Sequence, residues 1–132
     1  MEERIEWAEI LGWGEEQFRD LRCAGFSLYR DGRYEQAYTY FAALVELAPE
    51  SHYDHQTLGA VQLQLGNNEK ALEVLDKALA MVPQDEVSLL NKTKALLMLG
   101  KKKDALSIAA KLQNSSNPYL ANDAQALIMA YS

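Results

Sequence analysis

The chain has 132 residues, 48% of them hydrophobic and 24% charged, the composition of one globular domain and not of a disordered segment. Its net charge of −6 argues against nucleic acid or an anionic membrane surface as the main partner, although acidity also serves solubility. The single cysteine, Cys23, excludes an internal disulfide framework and fits a reducing compartment, and no apolar run reaches membrane-spanning length.

In chain order, the start MEERIEWAEI is acidic and lacks the apolar core of a secretory signal, so a cytoplasmic protein is expected. Residues 2–12 read as an amphipathic helix carrying Ile5, Trp7, Ala8, Ile10 and Leu11 and ending near Gly12. It either covers one end of the helices after it or presents Trp7, Ile10 and Trp13 for self-association, which leaves a homodimer open. Helices near 15–30 and 34–47 come next, broken at Gly32 and holding Phe26, Tyr29, Tyr34, Tyr38, Tyr40 and Phe41.

The stretch His52–Asp85 is the best-formed hairpin, with two amphipathic helices hinged at Gly66-Asn67-Asn68 and stopped by Pro83. A third pair lies near 85–99 and 101–112, with Asp85 as the expected N-cap. After the polar linker Gln113–Asn117, Asn117-Pro118 reads as N-cap and first helical residue of a last helix, 119–131.

Gly59, Gly66, Ala71 and Pro83 recur 34 residues earlier as Gly25, Gly32, Ala37 and Pro49, and Gly66 and Ala71 recur 34 later as Gly100 and Ala105. A helix–turn–helix period of 34 resembles the tetratricopeptide repeat. The expected fold is therefore all-α: one solenoid domain of three repeats (18–51, 52–85 and 86–117) between the N-terminal helix and a capping helix, 118–131. Such a stack is expected to have a concave and a convex side.

Catalytic chemistry finds little support. His52 and His55 lack the further ligands a zinc site needs, and no nucleophile–base arrangement or phosphate-binding glycine loop occurs. Cys23 reads as a small packing residue. Lys101-Lys102-Lys103 reads as a solvated turn. Neither an enzyme nor a cofactor or metal is expected.

The resemblance implies a ligand groove lined by positions 2, 5, 9 and 12 of each repeat. These are Arg19, Arg22, Phe26 and Tyr29; Tyr53, Gln56, Ala60 and Leu63; and Val87, Leu90, Lys94 and Leu97. The two-carboxylate clamp of the tetratricopeptide co-chaperones would need a basic Arg22 and suitable residues at Phe26, Thr57, Val87 and Asn91; only Arg22 fits, so an apolar ligand is favoured over an acidic tail.

The run AGFSLYRDGRYEQAYTYFAALVEL, Ala24 to Leu47, followed by LGAVQLQLG at Leu58–Gly66, resembles the small tetratricopeptide chaperones of bacterial type III secretion systems. That resemblance implies a cytoplasmic chaperone holding an apolar peptide or helix of a secreted subunit in its groove, with or without a second small chaperone. Phe26, Tyr29 and Tyr53 would wall the pockets, Leu63 and Leu97 floor them, and Arg22 and Lys94 set the register. The short N-terminal helix leaves needle-subunit chaperones open beside translocator chaperones. A general interaction scaffold using its ends, through Trp7 or Ile128, or its convex face is the alternative.

Overall fold

In the computed structural model, residues 7–132 are described, with side chains from Glu9 onward. Among them are eight helices and no strand: α1 (Trp7–Leu11), α2 (Glu15–Arg30), α3 (Tyr34–Leu47), α4 (His52–Gln64), α5 (Asn68–Met81), α6 (Glu86–Met98), α7 (Lys102–Leu112) and α8 (Pro118–Tyr131). The all-helical expectation holds, and the three hairpins are α2–α3, α4–α5 and α6–α7. Of the N-terminal helix expected over 2–12, residues 1–6 lie outside the described part.

The hairpin turns share one construction. Gly32, Gly66 and Gly100 have φ of 77°, 79° and 79°, a left-handed conformation in which only glycine escapes a Cβ clash. After each, an N–H reaches back in the Schellman pattern: Arg33 to the Leu28 carbonyl, Asn67 to Gln62 and Lys101 to Leu96, at 2.8–2.9 Å. The last helix starts as expected, with the Asn117 side chain accepting the Tyr119 N–H at 3.0 Å and Pro118 in the first turn.

Within each hairpin the helices meet at small residues. Ala37, Ala71 and Ala105 are wholly buried on the second helices, and at the matching position of the first helices stand Gly25, against Phe41 and Tyr40, Gly59, against Leu75, and Thr93. A Cβ at Gly59 would stand 2.5 Å from Leu75, so α4 and α5 can cross this closely only with glycine there. Thr93 occupies the same position in the third hairpin because its buried hydroxyl donates to the Leu89 carbonyl of its own helix at 2.9 Å.

Two apolar clusters result. Ala37, Phe41, Leu44, Leu58 and Val61 join the first and second hairpins. Leu90, Ala109, Leu112 and Ala124 join the third to α8, which covers that end of the stack. Helix α4 packs directly on α6, whereas α5 packs closely on neither α3 nor α7, so the first helices occupy the inner side of the stack. The first junction differs: α2 approaches α4 far less closely than α4 approaches α6, while α3 packs on both α2 and α4.

Candidate groove and the joints between repeats

Helices α2, α4 and α6 present exposed apolar side chains in three successive layers. Phe26 is 39% exposed, Tyr53 41% and Val87 44%. Such side chains leave water only when something else covers them. Around them Ala60, Leu63 and Leu97 are half-buried, and Arg19 and Lys94 stand exposed with no hydrogen bond or ion pair among the described residues. Arg30, outside the repeat positions expected to face a ligand, places its guanidinium 5.6 Å from the centre of the Phe26 ring and extends this aromatic edge.

Tyr29 belongs more to the scaffold than to an open wall. Its half-buried ring lies 5.6 Å from that of Tyr34 and 6.2 Å from that of Phe26, it packs on the first core cluster, and its hydroxyl meets the Gln64 side chain. Burial, helped by the neighbouring Tyr34, raises its pKa above the ordinary 10.0, against a smaller opposing effect of Gln64. The neutral form is thus favoured on folding. The stability this gives is intact below pH 10 and is lost as the pH climbs through the raised value. In an alkaline absorbance titration of the seven tyrosines, a late phase should appear that Tyr29→Phe removes. An unchanged titration would contradict this burial.

Three residues expected to face a ligand are used otherwise, and all three occupy the fifth position of their repeat. Arg22 donates from Nε and Nη2 to the two Asp54 carboxylate oxygens at 2.8 and 2.7 Å, and the Asp54 side chain is fully buried. The paired carboxylate raises the Arg22 pKa still further, against the opposing effect of burial. The Gln56 amide donates to the Asp85 carboxylate at 2.7–2.8 Å. Leu90 is only 6% exposed and sits in the core cluster beneath α8. Arg22 therefore does not stand free to set a ligand's register: its charge is committed across the junction.

Each polar joint ends at the N-terminus of the next first helix, with the partners interchanged. Ser51 caps α4, weakly accepting the Asp54 N–H at 3.4 Å, while Asp54 takes the arginine. Thirty-four residues on, Asp85 holds the cap position and Ser88 stands where Asp54 stood, its hydroxyl donating to Asp85 at 2.7 Å. Asp85 thus spends its carboxylate on Gln56 and Ser88 and not on a backbone cap. Ser51-x-x-Asp54 against Asp85-x-x-Ser88 is legible in the sequence as a 34-residue swap, and it was the signal available for these joints.

Two further expectations change. Cys23 is exposed, not packed, because among the described residues no repeat precedes α2 to cover its outer face. Trp13 packs edge-on against Phe18 at 5.5 Å and is half-buried, so it is not the freely exposed residue a self-association surface was expected to present. Ile10 and Leu11 are exposed on α1, which lies against α3; the Trp7 side chain falls outside the described part. His55 is buried with Nδ1 2.9 Å from the Ser51 carbonyl, and no metal-binding group of three or more ligands occurs among the described residues. No helix among them is long and apolar enough to cross a membrane.

Comparison with known proteins agrees with this geometry. Residues 28–90 match the family model of the tetratricopeptide repeat. No curated protein sequence matches the chain. Among solved structures, the Yersinia enterocolitica type III secretion translocator chaperone SycD is 21% identical, with a TM-score of 0.83 over 93% of this chain and 96% of that one. PcrH, from Pseudomonas aeruginosa, in complex with the chaperone-binding region of PopD is 25% identical, with a TM-score of 0.78 over 91% and 94%. A type III secretion complex from Aeromonas hydrophila is 23% identical, with a TM-score of 0.83 over 97% and 87%. Residues 28–90 carry the tetratricopeptide repeat, and the chain has the fold of the type III secretion translocator chaperones.

Proposed function

We propose that this protein is a cytoplasmic chaperone of a type III secretion system, holding an apolar segment of a translocator subunit along α2, α4 and α6 until export. The carrying observation is that each of the three first helices leaves a large apolar side chain exposed, Phe26, Tyr53 and Val87. The relatives support the reading: SycD has been solved with a peptide of the translocator YopD, and PcrH with the chaperone-binding regions of PopD and of PopB. The mechanism is binding and not catalysis: apolar side chains of the client replace water over these residues, which keeps an aggregation-prone segment out of solution.

Each large anchor covered in this way contributes roughly 1.5–3 kcal/mol before ordering costs. Removing two aromatic partners should therefore cost about 3 kcal/mol, on the order of a 100-fold loss of affinity. The test is co-expression with candidate translocator subunits. Phe26→Ala with Tyr53→Ala should eliminate client co-purification while the helical circular dichroism stays at the wild-type level. Client retained at full yield would instead place the contact on the convex face or the ends, as the scaffold reading has it. Tyr29 is unsuited to this test because it also packs on the core.

A further inference from the structure

The three fifth-position residues form a series whose chemistry grades along the stack. At the first junction an arginine forks onto a buried carboxylate; at the second a neutral amide meets a carboxylate; at the third a leucine is buried under α8. The helix contacts behind them differ as well. Helices α4 and α6 pack directly, whereas α2 and α4 do not approach closely. Besides α3, which packs on both, what crosses the α2–α4 interval is the long Arg22 side chain, forked onto Asp54 near the start of α4. Phe26 lies on α2 one turn beyond Arg22.

From this we infer that Arg22 and Asp54 are positioning residues that set the width of the groove between α2 and the rest of the stack, and that the fifth position of each repeat is a joint and not a ligand contact. The fork fixes distance and angle together, because two parallel N–H···O bonds hold the guanidinium plane on the carboxylate plane. An ammonium cannot do this. The second junction needs no such strut, since α6 rests on α4. The ligand-facing set accordingly narrows to positions 2, 9 and 12. The effect on a client rests on the function proposed above, but the joint itself does not.

The sole cysteine gives a direct test, because Cys23 is exposed on α2. A nitroxide there, paired with one on Lys94→Cys of α6, reports the α2–α6 separation by double electron–electron resonance without any client. Asp54→Asn keeps the shape and removes the charge; Arg22→Lys keeps the charge and removes the fork. In either variant the distance distribution should widen and its mean lengthen, at unchanged helical content, while Gln56→Leu should leave it as in the wild type. A residue that only adds stability would lower the unfolding midpoint without moving the folded-state distance. A wild-type distribution in both folded variants would overturn the proposal, as would equal widening in Gln56→Leu. Should the unsubstituted chain capture no translocator while the distances shift as expected, the functional reading fails and the joint stands.

Discussion

Gly59→Val should be among the most damaging single substitutions in the chain, with an expected loss of about 3 kcal/mol. Its Cβ would already lie 2.5 Å from both Cγ and Cδ2 of Leu75, and valine adds two methyl groups beyond that point. Leu75 is wholly buried and cannot swing into solvent, so α4 and α5 must separate along the middle hairpin. Valine is a better helix former than glycine by only about 0.5 kcal/mol, which does not offset a collision costing the upper end of the ~1–3 kcal/mol typical of overpacked cores. Against a total stability of about 5–15 kcal/mol for a domain of this kind, the loss is large. Urea unfolding would measure it. The collision is specific to one partner, so Leu75→Ala should cost less in the Gly59→Val background than in the wild type. Strict additivity of the two changes would exclude this contact as the cause.

Arg22→Met should cost a comparable amount, about 3 kcal/mol, through a different mechanism. It leaves the fully buried Asp54 carboxylate without its partner, and an uncompensated buried charge is far more costly than a missing ion pair. The Arg22 side chain is 31% exposed, so water can reach part of the site, and the expected loss sits at the lower end of the range for buried pairs. Adding Asp54→Leu to Arg22→Met should restore most of the stability, because two apolar groups there need no partner. Equilibrium denaturation of the two variants decides the matter. If the double variant were less stable than Arg22→Met alone, the buried charge would not be the source of the loss.

The hairpins were legible in the sequence because their determinants are local. Gly32, Gly66 and Gly100 mark turns that any helix of this periodicity must make, and Asn117-Pro118 caps its own helix. The 34-residue recurrence added the register between hairpins without requiring knowledge of any contact. The fifth positions were not legible in the same way. Whether Arg22 points at a ligand or at Asp54 depends on a partner 32 residues away and on how far α2 stands from α4, and neither is a property of the repeat frame. Cys23 failed for a related reason: a frame averaged over repeats assigns every first helix a preceding repeat, and among the described residues α2 has none. Phe26, Tyr53 and Val87 could be placed from the sequence since their positions combine apolar character with a place on the inner helices; what they bind cannot be read from them alone.

The three glycine turns carry a consequence for how such a molecule can change shape. Their φ angles of 77°, 79° and 79° nearly coincide, and the hydrogen bonds that close them are the same. Each hairpin is in effect a standard part, so differences in curvature between relatives built on this plan have few places to arise other than the seams. A lineage could then adapt to a new client by exchanging an arginine for a glutamine or a leucine at one seam, without disturbing the interior of any module.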